Sequence, residues 1–132
     1  MLRFGNEQPL VLVVDDDRGV LDNVTAALSR ANLACRCCTT CDEAITAAQA
    51  TPPNLILCNV NLHGESGLDL YEQIKQQPGL EDVPVMFLSG AQLPDIIRRS
   101  HAAGGIYCLR KPFDPAVLVE LIDQALGVPT EV

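Results

Sequence analysis

The segment NLILCNVNLHGESG, residues 54–67, is apolar from Leu55 to Cys58 and then breaks into amides, a histidine and glycines. Four consecutive apolar residues with no polar alternation suit a strand covered on both faces. The change of character after Cys58 puts Asn59 at the carboxyl end of that strand. What Asn59 meets there depends on the rest of the chain.

Similar short apolar runs recur at LVLVV (10–14), LACRCC (33–38), VMFL (85–88) and IYCL (106–109). They are rich in β-branched residues and read as strands. Helical patterns lie between them. Val20, Leu21, Val24, Ala27, Leu28 and Ala31 form one apolar stripe at three- and four-residue spacing. Thr40 with Glu43 makes a capping box for a second helix carrying Ala44, Ile45, Ala47 and Ala48, and Ser66 with Asp69 suggests the start of a third. A fourth helical stretch, about residues 94–103, stops at Gly104-Gly105. A fifth has Asp114 as N-cap, Pro115 in its first turn and Gly127 beyond its end, with Val117, Leu118, Leu121, Ile122 and Ala125 on its buried face. Five strand-helix units in alternation predict a doubly wound α/β fold, a parallel sheet with helices on both sides.

The 132 residues, 48% of them hydrophobic, suit one compact unit over 1–132 with its core at about 9–127. No repeat, linker or low-complexity segment interrupts it. With three Phe, two Tyr and no Trp, the core must be aliphatic and stacking surfaces for nucleic acid are scarce. A formal charge of −8 repels a phosphate backbone, which argues against direct binding of nucleic acid. MLRFGNEQP is too short and polar for a signal peptide, and no segment approaches the ~20 apolar residues of a membrane span. These features lead us to expect a cytoplasmic protein with no membrane partner.

In a parallel sheet, ligands bind beyond the carboxyl ends of the strands. Here those ends carry Asp15, Asp16 and Asp17, then Asn59, Ser89 and Lys111-Pro112. Adjacent carboxylates give a hard divalent cation its oxygen ligands, and a hydroxyl and an ammonium can hold phosphoryl oxygens. A carboxylate between them could attack phosphorus, and that part is missing. Taken singly, the acids could merely cap the first helix, Ser89 could be a loop serine and Lys111 a solvated surface lysine. Their common register at strand ends favours a site.

VLVVDDD, NLILCNVNLHGESGLDL, VPVMFLSG and LRKPFD together resemble the receiver domain of two-component response regulators over nearly the whole chain. The resemblance implies a flavodoxin-like, CheY-like sheet in the order 2-1-3-4-5. It matches Asp15 and Asp16 to the acidic metal-binding pair, Ser89 to the conserved hydroxyl and Lys111 to the lysine before a cis proline. Asn61 matches the residue whose backbone carbonyl ligates Mg²⁺, and Asn59 falls on the phosphoacceptor, an aspartate in the family. The implied metal set is Asp15, Asp16, Asn59 and the Asn61 carbonyl, with Mg²⁺ held weakly or not at all. The implied partner is a sensor histidine kinase or an output protein, met by the face of the fourth helix, fifth strand and fifth helix, where Arg98 and Arg99 offer charge. A homodimer is also open to such a domain.

An amide is a weak nucleophile, so Asn59 cannot form the acyl phosphate that an aspartate takes from a phosphohistidine donor. Two charges about 5 Å apart interact by roughly 3 kcal/mol at an effective dielectric of 20, so losing one of three clustered carboxylates relieves repulsion while weakening Mg²⁺. The resemblance fails elsewhere too. Cys108 stands where the family usually carries the aromatic that relays phosphorylation, and alternation turns Tyr107 to the opposite face. His63 replaces a frequent proline, which leaves the loop after Asn59 freer. The expectation is a non-enzymatic, protein-binding signalling module of a phosphorelay that is not itself phosphorylated.

CRCCTTC, residues 35–41, invites a second reading as a cysteine-based redox or metal-responsive flavodoxin-like module. With no secretion signal, all six cysteines are expected to be thiols. On a strand, residues 35 and 37 face one side and 38 the other, so the first three cannot share one metal. Cys35, Cys37, Cys58 and Cys108 are expected to pack as small apolar residues, leaving Cys38 or Cys41 as an exposed thiol with Arg36 as the basic neighbour. An FMN-type phosphate site is disfavoured because the first strand leads into three acids rather than a phosphate-cradling loop.

Overall fold

The computed structural model describes residues 8–62, 64–90 and 107–127. The expected helix at 94–103 with its glycine stop, Arg98, Arg99, His63 and the side chain of Tyr107 lie outside the described residues.

Strands β1 (Leu10–Val14), β2 (Ala34–Cys38), β3 (Leu55–Asn59), β6 (Val85–Ser89) and β7 (Tyr107–Arg110) form one sheet in the order β2-β1-β3-β6-β7. Every neighbouring pair is parallel. This is the expected order, renumbered by a short antiparallel hairpin, β4 (Asn61–Leu62) and β5 (Glu65–Ser66), that no periodicity announced. Gly64, at φ 86°, supplies the left-handed turn between its strands.

Helices α1 (Arg18–Arg30) and α4 (Pro115–Ala125) cover one face of the sheet, and α2 (Cys41–Ala50) and α3 (Gly67–Lys75) cover the other. Side-chain parity divides the core accordingly. Val11, Val13, Leu55, Leu57, Met86 and Leu88 meet Leu21, Val24 and Leu28 of α1 and Leu118 and Ile122 of α4. Leu12, Val14, Ile56, Cys58, Val85 and Phe87 meet Ala44, Ala47 and Ala48 of α2 and Leu70 and Ile74 of α3. Burial on both faces explains why β1 and β3 read as unbroken apolar runs.

The helix ends largely follow the sequence signals. Asp114 Oδ1 accepts from the Ala116 amide at 2.9 Å ahead of α4, and Gly127 turns at φ 76° beyond it. Ser66 Oγ accepts from the Leu68 amide at 3.1 Å. Thr40 Oγ1 accepts from the Glu43 amide at 3.1 Å, but the return arm of the capping box is displaced by one residue. Glu43 Oε1 takes the amide and hydroxyl of Thr39, at 2.8 and 3.0 Å. The Thr39 amide bond, more than any other cause, holds the Glu43 carboxyl below its ordinary pKa. One buried-face expectation fails: Val117 is 40% exposed while Leu118 and Ile122 are fully buried. The stripe of α4 starts one residue later than read, with Leu121 and Ala125 packed only at its margin. Among the described residues no helix is long and apolar enough to cross a membrane.

Candidate functional site at the strand ends

Four strands deliver their last residues to one rim. Asp15 follows β1, Asn59 and Ser89 end β3 and β6, and Lys111 follows β7. Asp15, Asn59 and Ser89 are buried. Lys111 is drawn in because its backbone amide donates to the Ser89 carbonyl at 2.7 Å, and the Lys111-Pro112 bond after it is cis.

Asp15 is the hub. Its Oδ2 accepts from Lys111 Nζ at 2.8 Å. Its Oδ1 accepts from the Asp17 amide at 2.9 Å and from Asn59 Nδ2 at 3.4 Å. Asn59 Oδ1 in turn accepts from the Asn61 amide at 3.3 Å. This network fixes the sense of the amide, since the flipped form would set its oxygen against the carboxylate and its NH₂ against an N–H. A buried carboxylate with a cation and two N–H donors is satisfied without a third carboxylate.

The three acids thus divide. Asp15 is the buried anchor, Asp16 is half-buried at the cleft, and Asp17 is the α1 N-cap, accepting from the amides of Gly19 and Val20 at 2.8 and 3.4 Å. The capping explanation therefore holds for Asp17. The cleft, about 620 Å³, is lined by Asp16, Asn59, Asn61, Ser89 and Lys111 together with Glu65. Glu65 went unnoticed in the sequence because a lone acid in a loop has no register; it reaches the cleft through the β4-β5 hairpin. Gly67 permits the close approach of α3. Its amide donates to the Val60 carbonyl at 2.8 Å, and an added Cβ would collide with the Asn59 backbone.

Asp15, Asp16, Asn59 and the Asn61 carbonyl are all hard oxygen donors, the type that suits Mg²⁺. Asp15 enters that set already paired to Lys111, which lowers the charge it can offer. Among the described residues no cluster of three or more His, Cys, Asp and Glu side chains is placed to hold a metal.

The cysteine expectation is corrected. Cys38 and Cys41 are buried, not exposed, because both turn into the core beside α2. Burial pushes the Cys41 thiol up to about 11, with Glu65 adding to it, and burial raises Cys38 as well. Cys37, expected to pack, is the exposed thiol, since β2 is an edge strand. Cys58 is buried and donates to the Asn59 carbonyl at 3.3 Å; Cys108 packs half-buried against the α2-α3 side of the core.

The family model for the response regulator receiver domain matches residues 11–123. The chain belongs to that family. Receiver domains are signalling modules of two-component systems. The DNA-binding transcriptional regulator NtrC of Salmonella typhimurium is 29% identical over 121 residues, which are 92% of this chain and 25% of that protein. The chain thus spans about a quarter of the length of the NtrC relatives it matches. A putative response regulator from Chloroflexus aurantiacus superposes with a TM-score of 0.86 at 26% identity, covering 92% of this chain and 99% of that one. The receiver domain of NtrX from Brucella abortus gives 0.83 at 28% identity, covering 90% and 99%.

Proposed function

We propose that this chain is a receiver that does not accept a phosphoryl group as written and acts in its two-component pathway by binding protein partners. The observation that carries this reading is the state of Asn59. It ends β3 in the cleft, and its neutral amide is tied to Asp15 on one side and to the Asn61 amide on the other. An amide cannot attack the phosphorus of a phosphohistidine and release the imidazole to give an acyl phosphate, and a group fixed by two hydrogen bonds is a structural link.

The remaining residues keep the parts of a phosphoryl site without its nucleophile. Ser89 and Lys111 are the phosphoryl-contact positions, and Lys111 is diverted to Asp15. Asp15, Asp16, the Asn59 oxygen and the Asn61 carbonyl would hold Mg²⁺ weakly. When bound, that ion supplies positive charge to oxygens in the cleft. The chain does no enzymatic chemistry in this reading and forms one receiver unit over 1–132, core about 9–127, in the cytoplasm. Its partner is a sensor histidine kinase or an output protein, docked on the face that includes β7 and α4.

Intact-mass spectrometry after incubation with acetyl phosphate and Mg²⁺ tests the reading. The unaltered chain should gain nothing and Asn59→Asp should gain one phosphoryl group. If neither form gains mass, the site has diverged beyond Asn59 and the binding role stands. An acyl phosphate on the unaltered chain would remove the reading.

A further inference from the structure

The thiols of β2 separate by strand parity. Cys38 enters the core beside α2, while Cys35 and Cys37 turn toward α1 with their sulfurs 3.8 Å apart. Thr25 Oγ1 on α1 stands 3.3 Å from Cys37 Sγ and 3.7 Å from Cys35 Sγ. Cys37 and Thr25 are exposed and Cys35 is half-buried, so two sulfurs and a hydroxyl oxygen form a small triangle open to solvent.

Such a pair can close a disulfide or grip an ion, and the strand decides between them. A disulfide needs Cβ atoms about 3.5–4.5 Å apart, whereas alternate residues of a strand are about 6.6 Å apart. Closing it would pull β2 out of register with β1, in which Cys35 faces Val11 and Cys37 faces Val13. An ion needs no such movement. With metal–sulfur bonds of about 2.3 Å, sulfurs at this separation subtend about 110° at the metal.

We propose that Cys35 and Cys37, with the Thr25 hydroxyl as a third and weaker donor, form a chelating dithiolate site for a soft d¹⁰ cation, Cu(I). Two thiolates and one hydroxyl satisfy an ion content with two or three ligands. They fall short of the four strong donors of a structural Zn²⁺ site. Binding forms two Cu–S bonds and releases two thiol protons to solvent, with no change of oxidation state. Burial pushes the Cys35 thiol up to about 11, so this thiol keeps its proton at neutral pH until the ion displaces it.

The test is anaerobic titration of the fully reduced chain with Cu(I) against a chromogenic Cu(I) chelator. The expected result is one ion per monomeric chain, with Cu–thiolate absorption in the near ultraviolet and no displacement by excess Zn²⁺. Cys35→Ser and Cys37→Ser should each weaken binding by about 100-fold or more, since each removes one of two charged ligands. Cys38→Ala, in the core, should bind as before. Far-ultraviolet circular dichroism checks that each variant is folded, and Cys37, being exposed, tolerates serine. Unchanged affinity in Cys37→Ser, equal loss in Cys38→Ala, a Cu-bridged dimer or preference for Zn²⁺ would each overturn the assignment.

Discussion

Lys111 Nζ lies 2.8 Å from Asp15 Oδ2, joining positions 96 residues apart, with Asp15 fully buried and Lys111 19% exposed. The contact ties the end of β7 to the end of β1 across the intervening strands. Among the described residues that line the rim, it pairs a cation with the most buried anion. With a neutral amide at Asn59, Lys111 meets no competing carboxylate at that position.

Removing the ammonium alone should be costly. In Lys111→Met the Asp15 carboxylate, itself fully buried, keeps two N–H donors but loses its cation, and breaking a buried pair typically costs about 3–5 kcal/mol. The second change, Asp15→Asn in the same chain, should recover much of that loss. Urea unfolding of the two singles and the double gives the coupling directly. A loss below about 1 kcal/mol for Lys111→Met would place the pair with ordinary surface ion pairs.

Restoring a carboxylate at position 59 should destabilise the metal-free chain. Asn59 Nδ2 is 3.4 Å from Asp15 Oδ1, so aspartate there turns a hydrogen bond into a contact between two anions. At about 4 Å and an effective dielectric of 20 the repulsion is roughly 4 kcal/mol, and Lys111 moving between the two would offset about half of it. Asn59→Asp should thus lose about 2 kcal/mol in chelator. Magnesium should return it, since an ion at 100 times its Kd adds about 2.7 kcal/mol. Thermal melts in chelator and in Mg²⁺ should show a larger upward shift of Tm for Asn59→Asp than for the unaltered chain. Equal shifts would mean that Asn59 does not govern the metal.

Gly67 is set by contact rather than by backbone angle. A Cβ there meets the Asn59 backbone and comes within 2.9 Å of Cys58 Sγ, and the end of β3 has no room to retreat. Gly67→Ala should cost about 1–3 kcal/mol despite alanine's better helix propensity, the range for overpacking a close contact. Chemical denaturation would show it, and a stabilised variant would show that α3 can shift away from β3.

Much of this was legible in the sequence because strands buried on both faces leave unmistakable apolar runs and capped helices announce their starts. The sheet order came from the family resemblance, and the strand ends with their polar residues followed from the runs themselves. Other features had no signal. The β4-β5 hairpin has two-residue strands, too short to show a period, and with it Glu65's approach to the cleft was hidden. The division of labour among Asp15, Asp16 and Asp17 depends on where the chain turns after β1, which composition cannot give. Cys37 and Cys38 were assigned opposite exposures to those found. Alternation correctly separated their faces, but not which face of an edge strand stays open. Val117 failed in a similar way, because a helical stripe has a margin where one residue decides between core and solvent.

The buried and half-buried thiols make stability fall on the alkaline side. Burial pushes Cys35 and Cys41 up to about 11 from an ordinary 9.0, and raises Cys38 and Cys58 in the same direction. A raised folded pKa means that between about 9 and 11 the folded chain holds protons the unfolded chain has released, so stability declines as pH rises through that window. Below pH 9 the contribution is fully present. Lys75 works in the opposite sense, since burial under its bonds to the Glu81 and Val83 carbonyls lowers its pKa, but it is one group against four thiols. Urea midpoints in reducing buffer should therefore be flat from neutrality to pH 8.5 and fall progressively toward pH 11. Cys41→Ala, which removes one thiol from the core, should make that fall shallower, and a slope unchanged by it would show that other groups set the alkaline limit.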